Sequence, residues 1–261
     1  MNSGGDILTA FRHSERALAE QIAEWEALEF GVAFTSSRFS LLPEANQLRE
    51  VWLAEIDGEA AWQRAEAFYT DRGLTCRAWT PASGQSIEPV ESLLSAKGWK
   101  RDETKIFALA DWNAAPSATP TIVRVLPARA MRKAYRATFD ESTEEGRQSA
   151  EAAMERLNDP DLDAFVAMQD GKPAGRLGYF SVGDIARLTD LHVVSGFDGD
   201  IVQGSLIAQA IQLARRLSPK CVVIRTNGLI RELLDMLGFA IGGSDSTFLM
   251  PPSITPPHET P

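Results

Sequence analysis

The chain has 261 residues and few side chains of the kinds that build metal and redox sites: two cysteines, Cys76 and Cys221, and three histidines. A structural zinc site needs four such ligands at characteristic spacings, and neither set has them. The sequence therefore predicts no metal site. Both cysteines fall in predicted buried strands, which favours core thiols over a disulfide. A reducing, cytoplasmic compartment is the expectation.

Positive charge and long apolar runs are scarce as well. The 36 acidic residues outnumber the 26 Lys and Arg, for a net charge of −10. Binding a nucleic-acid backbone requires concentrated cations, so we expect no nucleic-acid partner. The negative charge suits a cationic amine substrate, although it is also what an ordinary soluble surface carries. Because no run approaches the roughly 20 apolar residues of a membrane span and no secretory signal opens the chain, we expect no membrane partner.

Hydrophobic residues are abundant, at 44%, and their pattern is clearest near the C-terminus. The β-branched run 222–224 predicts a buried strand, and Asn227 predicts a turn. Leucines at 229, 233 and 237 give the apolar stripe of a short helix. Gly238 supplies a left-handed helix end, and Phe239 packs back on the last turn. This unit by itself fits any α/β domain.

The order of the elements before this unit is more specific. The patterns predict a first strand, two helices, a hairpin, a further strand and a long apolar helix, at 122–126, 128–139, 144–157, 165–182, 185–194 and 203–217. Followed by the strand–Asn–helix–Gly–Phe unit, this order over 122–250 resembles the GCN5-related N-acetyltransferase (GNAT) family. The resemblance implies a mixed sheet flanked by helices.

The resemblance also implies a co-substrate, acetyl-CoA or another acyl-CoA, bound at the loop before the long helix. In the family the pyrophosphate lies on loop N–H groups and on the positive end of the helix. The backbone of Leu191 and Val193 would polarise the thioester. Asn227 would contact the cofactor, or would only form an Asx-turn. The implied binding residues of the loop are Gly199, Asp200, Ile201, Val202, Gln203, Gly204 and Ser205.

Asp190 and His192 are the candidate catalytic residues, because the family often carries an acidic residue on this strand. Period-two alternation places both side chains on one face, where either one could deprotonate an amine. The structural alternatives are that Asp190 pairs with Arg187 or Arg176 and that His192 only fills the sheet face. The choice between these roles stays open on the sequence alone.

The loop departs from the family pattern. Val202 replaces an expected glycine, Gly199 replaces a basic residue, and Asp198 and Asp200 add negative charge next to a pyrophosphate. Leu234 stands where many family enzymes have a Tyr. The leading hypothesis is direct acyl transfer to a small amine or a peptide amine, with a possible homodimer. The alternative is a catalytically inactive GNAT-like binding or assembly module, which these departures favour.

An internal repeat indicates a second, degenerate copy. The segment ending in Gly98-Trp99 echoes the one ending in Gly238-Phe239, 140 residues later, and the alternative is coincidence. We predict an α/β (α+β) fold with two GNAT-like mixed sheets flanked by helices, the N-terminal one shortened. The predicted divisions are a degenerate domain at 1–112 with a helix over 6–28, a linker at 113–121, an acetyltransferase-like domain at 122–250 and a Pro-rich tail at 251–261.

Overall fold

The computed structural model describes residues 4–53, 56–112, 115, 122–226 and 230–251. The helices in these residues are α1 (Gly4–Glu20), α2 (Gly58–Thr70), α3 (Glu88–Ala96), α4 (Arg132–Arg136), α5 (Glu144–Arg156), α6 (Gly199–Leu217) and α7 (Arg231–Met236). The strands are β1 (Glu24–Leu28), β2 (Gly31–Thr35), β3 (Gln47–Val51), β4 (Ala78–Pro81), β5 (Lys100–Leu109), β6 (Arg124–Pro127), β7 (Leu162–Gln169), β8 (Lys172–Val182), β9 (Ile185–Val193), β10 (Cys221–Thr226) and β11 (Ala240–Leu249). Apart from Ala115 and Pro251, the predicted linker and tail lie outside the described residues.

The first helix is shorter than predicted. It ends at Glu20, and the chain turns at Ala19–Ala23 into β1, which pairs with β2 in the register Trp25↔Phe34. The expected continuation to residue 28 is therefore wrong, and Trp25 is half exposed. The β-branched and aromatic residues of β2 favour strand pairing, which prevails over the helical periodicity of the sequence.

The chain divides into two compact units, each built from two stretches of sequence. The larger unit contains the described residues of Met1–Ala23 and Glu103–Asp245, and the smaller unit contains those of Glu24–Asp102 and Ser246–Pro261. Helix α1 thus groups with the larger unit, whereas the sequence placed it in the N-terminal domain. The contiguous ranges 1–112 and 122–250 stay a prediction of where the two repeats begin and end.

The larger unit has a mixed sheet in the order β5-β10-β9-β8-β7-β6. Helix α6 connects β9 to β10, and these two strands run parallel; the other neighbours are antiparallel. The predicted apolar face of α6 is buried in the core, including Leu206, Ile207 and Ile211. The strand order and the antiparallel β7, β8 and β9 agree with the fold predicted for 122–250.

The smaller unit has the order β1-β2-β3-β4-β11. Here α2 connects β3 to β4, and this pair is again parallel, whereas β11 joins β4 antiparallel. Its core surrounds the fully buried Trp79, with Tyr69, Leu94 and Phe248 among the packed side chains.

The two halves of the chain repeat one topology. The segment from β1 to β5 and the segment from β7 to β11 have the same order of elements. Each consists of three antiparallel strands, a helix, a parallel strand, a short helix and a long strand. Both short helices end at a left-handed glycine, with φ of 79° at Gly98 and 86° at Gly238. The next residue bonds back in both, from Trp99 N to Leu94 O at 3.0 Å and from Phe239 N to Leu234 O at 2.9 Å. The repeat indicated by the sequence is therefore present in the structure.

Candidate functional site

The sheet of the larger unit opens between its two parallel strands. Pairing joins Cys221–Ile224 of β10 to Ile185–Leu188 of β9. Beyond this point β10 continues alongside β5, and β9 continues alongside β8. The carboxyl ends of β9 and β10 are therefore not paired with each other, and α6 begins shortly after the carboxyl end of β9. A crevice at this place in an α/β sheet is the usual position of a ligand site.

A β-bulge shapes the β9 side of the opening. The register with β8 shifts between Arg176 and Gly178, and Asp190 has a φ of 53°. This left-handed conformation is tolerated by Asp better than by most residues. Val194 N donates to Ala174 O of β8 at 2.9 Å. Because N–H directions alternate along a strand, the N–H groups of Leu191 and Val193 point away from β8, into the opening.

Arg176 is the centre of a side-chain cluster at the bulge. Its Nε donates to Asp190 Oδ2 at 2.7 Å, and its Nη1 donates to Thr138 O at 2.7 Å. The guanidinium lies 3.7 Å from the ring centroid of Phe139 and is nearly buried. Asp190 thus pairs with Arg176, one of the two structural alternatives that the sequence left open. Arg187 pairs with Glu15 instead.

Tyr135 of α4 is a member of this cluster that the sequence analysis missed. Burial, followed by the negative charge of Asp190, holds the pKa of its phenol above the ordinary value of 10. Arg176 and Arg156 oppose this shift. The phenol is therefore a protonated hydroxyl beside the Asp190 carboxylate at any physiological pH. No spacing in the sequence signals a contact between residues so far apart.

His192 lies beside the same cluster, directly opposite Arg176 on the neighbouring strand. Burial and then the positive charge of Arg176 lower its pKa from 6.5, and Asp190 partly offsets them. The imidazole is therefore neutral near pH 7 and has a lone pair that can accept a proton. The structure brings the two predicted catalytic residues close together. Asp190 accepts a hydrogen bond from Arg176, whereas His192 lies beside Arg176 without such a bond among the described residues.

Helix α6 begins at Gly199, four residues before the predicted start at 203. Asp198 caps it, and its Oδ1 accepts the N–H of Ile201 at 3.2 Å. Val202 N donates to Asp198 O at 3.1 Å. The N–H groups of Gln203, Gly204 and Ser205 then belong to the i→i−4 ladder of the helix and are not available to a pyrophosphate.

Two side chains of this turn face the protein core rather than a ligand. Val202 and Ser205 are fully buried, and Ser205 Oγ donates to Ile201 O at 2.7 Å. A Cβ at Gly204 would lie 3.6 Å from Leu233, an ordinary contact. Of the predicted loop, Gly199 and Asp200 keep their N–H groups at the exposed helix start. Asn227 lies outside the described residues.

Gly175 is a second residue that the sequence analysis missed. A Cβ there would come within 2.5 Å of His192 O and 2.7 Å of Val202 Cγ1. A glycine is therefore needed for β8 to approach both β9 and the first turn of α6. Leu234, at the position where the family often has a Tyr, is fully buried in the core.

Comparisons with known proteins identify the fold. No protein-family model matches the chain, and no curated protein matches its sequence. Among solved structures, a GCN5-related N-acetyltransferase from Kribbella flavida is similar at 12% identity and TM-score 0.60, with 97% of each chain covered. A tandem GNAT protein from the clavulanic acid biosynthesis pathway is similar at 16% identity and TM-score 0.55, over 86% of this chain and 80% of that one.

A GCN5-related N-acetyltransferase from Sphaerobacter thermophilus is similar at 14% identity and TM-score 0.58, over 85% of this chain and 81% of that one. The chain therefore has the fold of the GNAT acetyltransferases, as the order of its predicted elements indicated. At these identities the likeness establishes the fold and leaves the reaction to be argued from the site.

Two kinds of feature are absent from the described part of the chain. It holds no group of three or more His, Cys, Asp or Glu side chains placed to bind a metal ion. None of its helices combines the length and the apolar character needed to cross a bilayer.

Proposed function

We propose that this protein transfers an acyl group from an acyl-CoA, in the first place acetyl-CoA, to a small amine or a peptide amine. The observation that carries the proposal is the opening between β9 and β10, into which the N–H groups of Leu191 and Val193 point. Two backbone donors at the edge of a crevice are suited to hold a carbonyl oxygen as negative charge develops on it. His192, neutral near pH 7, lies on the same strand between them.

In this proposal His192 accepts a proton from the incoming ammonium group, directly or through a water. The free amine then attacks the thioester carbonyl, whose oxygen the N–H groups of Leu191 and Val193 polarise. The acyl-CoA supplies an activated acyl group with a thiolate leaving group. Since Leu234 is buried and apolar, that thiolate takes its proton from water or from the ammonium intermediate.

Asp190 has a positioning role in this scheme. Its Oδ2 already accepts the hydrogen bond of Arg176 Nε at 2.7 Å. By holding Arg176, it fixes the bulge that turns the backbone of Leu191 into the opening. Arg176 in turn helps to keep the neighbouring imidazole neutral.

The fit to CoA is uneven along the molecule. The opening suits a pantetheine arm, and the N–H groups of Gly199 and Asp200 are free for a phosphate. The carboxylates of Asp198 and Asp200 lie at the same helix end, however, and both residues are exposed. They repel a pyrophosphate, with a strength that salt reduces. We therefore expect acyl-CoA to bind, and to bind weakly.

The second candidate is a catalytically inactive GNAT-like binding or assembly module. The aspartate cap on α6 favours it, because Asp198 already occupies a donor that a phosphate would use. The acidic flank and the buried Leu234 favour it as well.

Calorimetric titration with acetyl-CoA and with CoA, followed by transfer assays on a panel of amines, separates the two candidates. Saturable binding and acyl transfer support the enzyme. Binding of neither compound, together with no transfer to any amine, would overturn it in favour of the module.

A further inference from the structure

The larger unit contains a cavity of about 480 Å³ that the acyl-transfer proposal does not use. It lies between α4 and the turn that joins β7 to β8. Small-molecule sites have volumes of about 300–1,000 Å³, so the cavity is large enough for one. None of the described residues that line it belongs to β9, β10 or α6, the elements that form the proposed acyl-CoA site.

The walls of the cavity are apolar and accessible. Helix α4 and the residue that follows it contribute two alanines, Ala134 and Ala137. The strands contribute Met168 of β7 and Pro173 of β8, which are directly paired. Each of these four residues is half-buried or exposed, so a ligand in the cavity can contact it. A Cβ at Gly171 in the turn would meet no atom within 4 Å, which leaves the cavity open on that side.

Two neighbouring cations, Arg132 and Lys133, also line the cavity, and both residues are exposed. The Lys133 ammonium has no hydrogen bond or ion pair among the described residues. Arg132 Nη2 donates to Met154 O at 3.2 Å, and the guanidinium has no carboxylate partner in the same part of the chain. The next cation of α4 differs, because Arg136 is already paired with Glu141. The positive charge beside the cavity is therefore not neutralised by the described residues.

These charges decide which kind of ligand the cavity suits. No Asp or Glu is among the described residues that line it, so a cationic ligand would meet only like charge. A small inorganic anion would leave the apolar walls uncovered, and a purely apolar ligand would leave both cations without a counterion. A polyanion such as a nucleic acid is disfavoured by the net charge of −10 on the chain.

We propose that this cavity binds a small carboxylate with an unbranched aliphatic chain. The chain lies against the alanines, Met168 and Pro173, where the flexible methionine adapts to its shape. The carboxylate lies near Lys133 and Arg132, whose long side chains reach solvent from the edge of an apolar surface. The site goes beyond the acyl-transfer proposal, and its test does not depend on activity.

The first test compares three probes with the same chain and different head groups: octanoate, octan-1-ol and octylammonium. Titration of the full-length protein at about 0.15 M salt, where distant charges are screened, should give octanoate the tightest binding and octylammonium the weakest. We expect octanoate to bind about 2- to 10-fold more tightly than octan-1-ol, the range for exposed ion pairs. Butanoate should bind at least about tenfold more weakly than octanoate, because it buries four fewer CH₂ groups.

Methionine methyl groups report where the probes bind. With ¹³C-methyl methionine labelling, the NMR signals of Met131 and Met168, which line the cavity, should shift along the octanoate binding curve. Met236 is an exposed residue of α7 that does not line it, and its signal should stay unchanged. Saturating CoA should not alter octanoate affinity. No saturable shift at Met131 and Met168, equal affinities for octanoate and octan-1-ol or for octanoate and butanoate, or competition by CoA would each overturn the proposal.

Two charge-neutralising variants locate the carboxylate. Lys133→Gln should weaken octanoate binding by about 2- to 5-fold, the range of an exposed charge pair, and leave octan-1-ol binding unchanged. Lys100→Gln is the matched control, because Lys100 is an exposed lysine of β5 that does not line the cavity. Unchanged octanoate affinity in Lys133→Gln, or an equal loss in Lys100→Gln, would remove the carboxylate from this site. Thermal unfolding of both variants checks that the fold is intact.

Discussion

Arg176 and Asp190 are joined across β8 and β9 by a hydrogen bond of 2.7 Å, and this pair explains why an acidic residue stands at the bulge. The guanidinium is nearly buried, so it needs a counterion, and Asp190 supplies one with its side chain 35% exposed. Asp is also among the few residues that adopt the positive φ required there. The carboxylate therefore serves the backbone geometry of the opening, and in the proposed reaction the base is His192.

The first prediction concerns the stability that this pair provides. Asp190→Ala should lower the free energy of unfolding by about 1–3 kcal/mol, because it leaves Arg176 without its counterion; the partial exposure of Asp190 keeps the value below that of a fully buried pair. Asp190→Asn should cost less, since Asn accepts a hydrogen bond and tolerates the same φ. Urea denaturation measures both.

Asp170→Ala is the matched control, because Asp170 has a φ of 50° in a turn and no arginine partner in the described residues. This control measures how much stability is lost by placing Ala at a positive φ, so that the contribution of the ion pair can be obtained separately. Equal losses in Asp170→Ala and Asp190→Ala would show that the pair contributes nothing.

The second prediction concerns His192 as the base. Because its pKa is lowered from 6.5, the imidazole stays neutral, and active, to more acidic pH than a free imidazole would. The profile of kcat/KM should therefore fall on the acid side with a midpoint below 6.5. His192→Gln should lower kcat/KM by about 10²–10⁴-fold and remove this acid limb.

His13→Gln is the control, since His13 is an exposed residue of α1. It should leave both the rate and the profile unchanged. Persistence of the acid limb in His192→Gln would assign the titration to another group.

The fold was largely predictable because its main determinants are local. The apolar stripe of α6, the β-branched run of β10 and the glycines at 98 and 238 set the element order that resembled the GNAT family. The exceptions were also local in origin. Asp198 is a strong helix cap, so α6 began earlier than the glycine pattern indicated. β1 depended on pairing with β2, which helical periodicity does not reveal.

The site was predictable only in part, because its contacts join distant segments. Asp190, His192 and the backbone of Leu191 and Val193 could be placed from their strand. The contact of Arg176 with Thr138 and Phe139, and that of Tyr135 with Asp190, arise from the packing of α4 on β8. Sequence spacing carries no signal for such contacts, and without them the choice between base and counterion for Asp190 stayed open.

The third prediction distinguishes two glycines. Gly175→Ala should destabilise the protein by about 1–3 kcal/mol, because its Cβ would meet the His192 carbonyl and Val202 at distances no packing allows. Gly204→Ala should be neutral or should stabilise α6 by up to about 1 kcal/mol, since the new methyl makes an ordinary contact with Leu233.

Chemical denaturation of both variants measures the two changes in the free energy of unfolding. The comparison is matched, because both are Gly→Ala substitutions in the larger unit. CoA titration of Gly204→Ala adds a functional check. Because the N–H of residue 204 belongs to the hydrogen-bond ladder of the helix, the variant should bind CoA with the same affinity as the parent protein. A large loss of CoA affinity in Gly204→Ala would return this residue to the phosphate site.

The last prediction concerns the acidic start of α6. Replacing both Asp198 and Asp200 with Asn should tighten CoA binding by about 3- to 10-fold, because each exposed carboxylate near a pyrophosphate costs a few tenths to one kcal/mol. Asn caps a helix as well as Asp does, so α6 should keep its start. Titration at low and at high salt should show the gain shrinking as salt screens the charges. Glu145→Gln is the charge control on α5, where CoA affinity should not change. If the double variant binds CoA no better than the parent at low salt, the pyrophosphate does not lie at this helix end, and the acyl-CoA site proposed here is misplaced.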